Sequence, residues 1–135
     1  MARYLSAEWL DAVGRAASAS DELRRSTRGV RFTVQQRVTG VPEGDVTYHV
    51  VVDDGSVDVR PGEAEQPDVT FIQDHATAVG IGTGTVSAQA AFMLGRLRVA
   101  GDLPLLVTHR DAVAGLDTAL ASVREDTEYP ETETT

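Results

Sequence analysis

Between residues 30 and 60 the chain reads VRFTVQQRVTGVPEGDVTYHVVVDDGSVDVR, and apolar side chains recur there at every second position. A period of two places alternate side chains on opposite faces of an extended backbone. Val30, Phe32, Val34 and Val38 share one face, while Arg31, Thr33, Gln35 and Arg37 share the other. After a turn at Pro42, Glu43 and Gly44, a second strand puts Val46, Tyr48, Val50 and Val52 on the apolar side and Thr47 and His49 on the polar side. Asp54-Gly55 is a strong hairpin signal, because both turn positions favour positive φ. A third strand then turns Val57 and Val59 inward and Asp58 and Arg60 outward. A meander that is polar on one face and apolar on the other folds only if something covers the apolar face.

The rest of the chain supplies the cover. Residues 6 to 20 read as a helix capped by Ser6, with Glu8 in its first turn and a stripe of Trp9, Leu10, Val13 and Ala17. The following ASASDELRR is expected to fray into a connection. PGEAEQP, 61 to 67, reads as a loop, and DVTFIQ as a fourth strand with Val69 and Phe71 inside. Asp74 can cap a helix over 75–83, and Ser87 another over 88–94. Leu97 and Val99 alternate with Arg96 and Arg98 in a fifth strand, after which 103–123 is mostly helical. The expected class is α+β: a five-stranded, mostly antiparallel sheet with helices over one face. Residues 1–123 form one domain, and the acidic 124–135 is expected to be a disordered tail.

Several chemistries are excluded. There is no cysteine, which removes disulfides, zinc ribbons and thiol catalysis. A net charge of −9 repels a phosphate backbone, so no nucleic-acid partner is expected. No apolar run approaches the ~20 residues that span a bilayer. The charged MARYLSAEWLDAV lacks an apolar signal core and ETETT is no peroxisomal address, so a bacterial cytoplasmic location is expected.

The glycines at 80, 82 and 84 raise the question of a phosphate cradle. The third glycine of a GxGxxG fingerprint falls on Thr85, and a Walker loop needs a Lys that the chain lacks. These glycines therefore loosen a short helix, at about 1 kcal/mol each relative to Ala. His49, His75 and His109 have no metal-ligand spacing, and no GxSxG surrounds a serine. The adjacent Asp53 and Asp54 are explained by a hairpin turn. Neither a catalytic residue nor a metal or cofactor is expected. Arg24, Arg25, Arg28 and Arg31 read as a solvated face; the sharper alternative is an anchor for a carboxylate, a phosphate head group or an anionic membrane.

The apolar inventory is rich in Ala, Gly and Val and poor in aromatics. Small residues leave gaps, so sheet and helices can enclose a pocket or simply a packed core. Composition leaves both open.

AFMLGRLRVAGDLPLL, residues 91–106, resembles the signature of the sterol carrier protein 2 (SCP2) family: Ala-Phe-Met, a Gly, alternating Arg with Leu or Val, then Gly-Asp before an apolar helix. DVTFIQDHATAVGIGTGTVSAQ resembles the family's preceding strand, helix and Ser-x-Gln segment, and YLSAEWLDAV the N-terminal helix of its small bacterial stand-alone members. The resemblance spans about residues 4 to 121. It implies five strands with helices over one face and, between them, a hydrophobic tunnel for a sterol, fatty acid, fatty acyl-CoA or phospholipid, bound and transferred without chemistry. Within that tunnel, facing assigns the lipid-binding positions to Trp9, Val34, Phe71, Val79, Ile81, Phe92, Met93, Leu94, Leu103, Leu106, Leu116 and Leu120. Family members often carry larger or charged residues where this chain has Gly82 and Thr83, so that helix is expected to be looser here. The expected partners are a lipid or another hydrophobic small molecule, with at most transient membrane contact, for a monomer or weak homodimer. Two alternatives stand beside this: an accessory module with a collapsed tunnel, using Val51 and Ile72 on the polar face, and an enzyme built on Asp74 and His75.

Overall fold

The structure, a computed structural model, describes residues 2–42, 44–124 and 127–129. In chain order the elements are β1 (Ala2–Arg3), α1 (Ala7–Ala19), α2 (Asp21–Ser26), β2 (Arg31–Thr39), β3 (Val46–Asp53), β4 (Ser56–Pro61), β5 (Val69–Asp74), α3 (His75–Thr83), α4 (Ala88–Met93), β6 (Leu97–Gly101), α5 (Leu103–Thr108), α6 (Arg110–Ser122) and β7 (Thr127–Glu128).

Five strands form one sheet in the order β4-β3-β2-β5-β6. The meander pairs antiparallel as its alternation requires, with Val34 opposite Val50 and Val50 opposite Val59. Asp54 and Gly55 at the hairpin tip both take positive φ, 45° and 88°. The fourth strand does not extend the meander at β4. It crosses back and lies parallel to β2 on the other side, Val34 beside Val69 and Gln36 beside Phe71. β6 then closes the edge antiparallel to β5. The sheet is therefore mixed, with one parallel pair among three antiparallel ones.

Asp68 fixes the crossover. Its carboxylate accepts from Thr33 N at 2.7 Å, and its own N donates to Thr33 O at 2.9 Å. Its carbonyl accepts from Asp102 N at 2.9 Å, which ties the end of β6 to the start of β5. Gly101 sits in this crossing with φ +104°, and a Cβ there would collide with the Asp68 carbonyl oxygen.

All the helices lie over the face carrying Phe32, Val34, Val52 and Val69. α1 packs across β4 and against α6, with Trp9, Leu10, Val13 and Ala17 buried. The opposite face is only partly wet: the loop after β4 folds onto it, Ala64 N donating to Gln35 Oε1 at 2.9 Å and His49 Nδ1 lying 2.8 Å from Gly62 O. His49, placed by phase on the solvent side, is buried for that reason.

Two helical expectations are corrected. The residues after Ala19 do not fray: Ser20 ends α1 and caps α2, its hydroxyl accepting from Leu23 N at 3.1 Å. Leu23 is fully buried, and it reaches α6 because Gly115 has no side chain; a Cβ there would stand 2.8 Å from Leu23 Cδ1. The C-terminal helical stretch is broken at His109, whose ring stacks on Phe32 at 5.7 Å between centroids. Part of the expected tail also packs rather than trails. Thr127–Glu128 pairs with β1, and Tyr129 lies 4.9 Å from the Tyr4 ring. The rest of the expected tail lies outside the described residues.

Gly101→Ala is expected to cost at least about 3 kcal/mol, combining left-handed strain with a backbone collision. Gly62→Ala, at φ +86° but in open space, is expected to cost about 1–2 kcal/mol. Urea denaturation midpoints decide this; equal losses would contradict the close approach at Asp68.

Candidate ligand-binding site

Sheet and helices do not meet flush. Between them is an apolar cavity of ≈ 170 Å³, walled on the sheet side by Val34, Gln36, Tyr48, Val50, Val59, Phe71, Gln73 and Leu97. Val13 and Ala17 of α1, Ile81 of α3, Ala88 of α4, Leu106 of α5, and Val113, Leu116 and Ala119 of α6 complete it. The gap follows from residue size. Valines face alanines across much of the interface, and neither reaches far enough to fill it to the density of a protein interior. A second, smaller cavity of ≈ 70 Å³ shares Gln36, Tyr48, Gln73 and Ile81 with the first and is otherwise walled by Tyr4, Trp9, Ala78, Gly82, Ala121, Arg124 and Tyr129.

Of the positions assigned from sequence, Val34, Phe71, Ile81, Leu106 and Leu116 line the main cavity. Trp9 lines the smaller one, edge-on to Tyr4 and to Tyr48 at 4.9 and 5.7 Å between centroids. Val79 is buried but belongs to neither wall. Leu120 lies on α6 and its side chain is outside those described. Phe92, Met93, Leu94 and Leu103 face away from the cavity, with Met93 78% and Leu94 71% exposed. The cause is geometric. α4 is six residues long and turns Ala91 fully inward, so the large residues that follow it project outward.

Sequence reasoning leaves out Gln36 and Gln73. Their phase marks both: Gln36 continues the row Phe32, Val34, Val38, and Gln73 the row Val69, Phe71. Polar character argues against an inward reading. Val13, Ala17, Val50 and Val59 read as inward, but nothing local marks them as cavity wall.

The glycines of α3 serve close approach rather than anion binding. Gly82 O accepts from Arg124 Nε at 2.7 Å and from the Tyr129 hydroxyl at 3.1 Å, and a Cβ at Gly82 would stand 2.9 Å from the Tyr129 ring. Gly84 ends the helix in the left-handed conformation at φ 81°. Asp74 is engaged as the cap of α3, accepting from Thr77 N at 2.7 Å. Those hydrogen bonds from Thr77 hold its carboxyl below the ordinary carboxylate range. Burial pushes the phenols of Tyr4, Tyr48 and Tyr129 up. Among the described residues no group of three His, Cys, Asp or Glu side chains could hold a metal ion. No helix among them is long and apolar enough to cross a membrane.

The pattern of this chain matches the SCP-2 sterol transfer family over residues 10–112. The chain belongs to that family. Among solved structures, the SCP-2 fold recurs in a crystal structure of sterol carrier protein 2, at TM-score 0.73 and 20% identity over 88% of this chain and 98% of that one. It recurs also in a conserved hypothetical protein of Thermus thermophilus, at TM-score 0.72 and 20% identity over 91% of both chains. A ubiquinone synthesis protein, UbiJ-SCP2, aligns at TM-score 0.58 and 20% identity over 85% and 90%. At such identities the likeness is one of fold. No curated protein sequence matches.

Asp74→Ala is expected to cost about 1 kcal/mol at neutral pH through loss of the cap. The folded carboxyl titrates below its unfolded value, so the ionised cap contributes fully above the unfolded pKa and fades as pH falls through the folded one. Denaturation at pH 7 and at about pH 2.5 is therefore expected to show the gap between the native chain and the variant narrowing in acid. A gap that holds constant would contradict the charge-assisted cap.

Proposed function

We propose that this SCP-2 chain is a non-enzymatic carrier that takes an apolar, lipid-class guest into the cavity between its sheet and α1, α5 and α6. The observation that carries this reading is the cavity itself, ≈ 170 Å³ with a predominantly aliphatic wall, in a family named for sterol transfer.

Magnitude says how it must work. A dry apolar cavity of about 150 Å³ takes a benzene-sized guest, whereas pockets for drug-sized ligands run to about 300–1,000 Å³. The resting cavity therefore holds a short aliphatic segment, and a sterol or long acyl chain requires a wall to move. α5 is the wall best suited to do so. It buries no residue and runs only from Leu103 to Thr108 between the bend at Gly101-Asp102 and the break at His109. Leu106 is its one contribution to the lining. Moving α5 uncovers chiefly the half-buried Leu105 and Leu106, so the cost is small beside the gain. Burying several hundred Å² of guest at ~25 cal/mol/Å² is worth on the order of 10 kcal/mol gross. Lost guest freedom offsets much of this, leaving micromolar to nanomolar affinity and broad tolerance of chain length.

The same reading explains the apolar surface on α4 and α5. Phe92, Met93, Leu94, Leu103 and Val107 are the large exposed hydrophobics of the described residues, and they sit on or beside helices that also line the cavity. Transient contact with a lipid surface gives these side chains a role. An open interior favours this reading over an accessory module with a collapsed tunnel.

Gentle purification followed by solvent extraction and mass spectrometry is expected to recover a co-purified lipid, and the delipidated protein is expected to take up a fluorescent fatty acid. Leu116→Trp, which fills the cavity from α6, is expected to weaken that uptake at least about tenfold while leaving the circular dichroism unchanged. A folded Leu116→Trp variant that binds as well as the native chain would place the guest elsewhere.

A further inference from the structure

The cavity wall is not uniformly apolar. Gln36 on β2 and Gln73 on β5 both face it, and Gln73 Nε2 donates to Gln36 Oε1 at 2.8 Å. A carboxamide carries one NH₂ and one carbonyl. The pair consumes one donor group and one acceptor, and leaves Gln36 Nε2 and Gln73 Oε1 without a hydrogen-bond partner among the described residues. Exchanging the two amide orientations changes which residue offers what, not the remainder: one donor and one acceptor still face inward. The Tyr48 hydroxyl has no partner among the described residues either, and its side chain lines both cavities. Beyond it, Trp9 lines the smaller cavity, and its Nε1, fully shut off from any open space, also lacks a partner among the described residues.

Unspent hydrogen-bonding capacity in an aliphatic wall is costly, and Leu or Met at positions 36 and 73 would pack without that cost. The capacity is also concentrated. Gln36, Tyr48 and Gln73 all stand in the wall that the two cavities share, while the rest of the main cavity is almost entirely aliphatic or aromatic.

We propose that Gln36, Gln73 and Tyr48 form a polar subsite that receives the uncharged hydroxyl or carbonyl of an amphiphile, inserted head-first with its apolar body along the valine-lined cavity. This rests on the carrier reading and names the chemical class of the guest. A hydroxyl suits the site because it can donate to the free carbonyl and accept from the free amide together; a ketone or ester carbonyl uses the amide and the Tyr48 hydroxyl. A carboxylate does not suit it. The main cavity is lined by no Arg or His, so a buried carboxylate there would stand without counter-charge. The one charged side chain on the smaller cavity is Arg124, beside Tyr4 and Tyr129. Arg124 is exposed and its Nε is committed to Gly82 O. A fatty acid held by charge would lodge its head there, at the solvent end, and leave the glutamines unused.

Three guests of equal chain length separate these possibilities: octane, 1-octanol and octanoate, titrated at pH 8 by displacement of a neutral fluorophore. In the native chain 1-octanol is expected to bind more tightly than octanoate. Gln36→Met/Gln73→Met is expected to weaken 1-octanol about tenfold and leave octane within about twofold, since only the hydrogen bonds are removed. Arg124→Gln is expected to leave 1-octanol unchanged. If the double variant does not fold, Gln36→Met alone reads the same difference. Substitutions that weaken octane and 1-octanol equally, or not at all, would overturn the subsite while leaving the carrier reading intact. Octanoate outcompeting 1-octanol and losing its advantage in Arg124→Gln would overturn it in favour of a charged head at the cavity's end. A native chain that binds neither octane nor 1-octanol would overturn the carrier reading, and this inference with it.

Discussion

The parallel pairing of β2 with β5 is the constraint on which the rest of the structure depends. A three-stranded meander alone offers too narrow an apolar face for several helices. By crossing back to β2 rather than continuing at β4, the chain widens the sheet on its other side and makes β2 the central strand. The crossover is held at one residue, Asp68, whose carboxylate, amide and carbonyl bind β2 and the residue following β6 together. The same pairing sets Gln36 beside Phe71 and Val38 beside Gln73, so the polar pair in the cavity wall is a direct product of that register. A slip of one residue in this pairing would turn Gln73 to the opposite face from Gln36 and undo the pair.

Given that platform, the void follows from what covers it. Where large residues meet the sheet, as Trp9 does against Tyr48, the gap narrows to the smaller cavity of ≈ 70 Å³. Where the small Ala17 and Ala119 stand with Val34 and Val50, it widens to the main cavity of ≈ 170 Å³. The chain could have filled the space by using Phe92, Met93 and Leu94, but the short α4 turns them outward. Apolar bulk is thus moved from the interior to the surface, which costs stability. α5, which has no fully buried residue and is bounded by a bend and a break, is the least anchored part of the wall.

Much of this is legible in the chain. Alternation places β2, β3 and β4 and their inward rows, and the Asp54-Gly55 turn appears with the positive φ values that its residues favour. The 91–106 segment carries the family. What is not legible depends on distance. Nothing local marks the parallel partner of β5, because the crossover is decided by contacts between residues 33, 68 and 102. α2 looks like fraying polar sequence because the reason it forms is Leu23 meeting Gly115 of α6, a contact between opposite ends of the chain. Hydrophobicity misplaces Phe92, Met93 and Leu94, since a helix too short for a full stripe takes its facing from its one buried residue, Ala91. Gln36 and Gln73 show the reverse error: their phase is right and their polarity argues against it. The Tyr129 contact with Gly82 likewise joins residues far apart in the chain and has no local signature.

Methyl-resolved NMR of the delipidated chain, titrated with an aliphatic guest such as 1-octanol, tests the central claim most directly. The account predicts saturable shifts at Val34, Val50, Val113 and Leu116, whose side chains are among those that line the cavity. Shifts confined to the exposed Met93 and Val107, with the interior methyls unmoved, would contradict it.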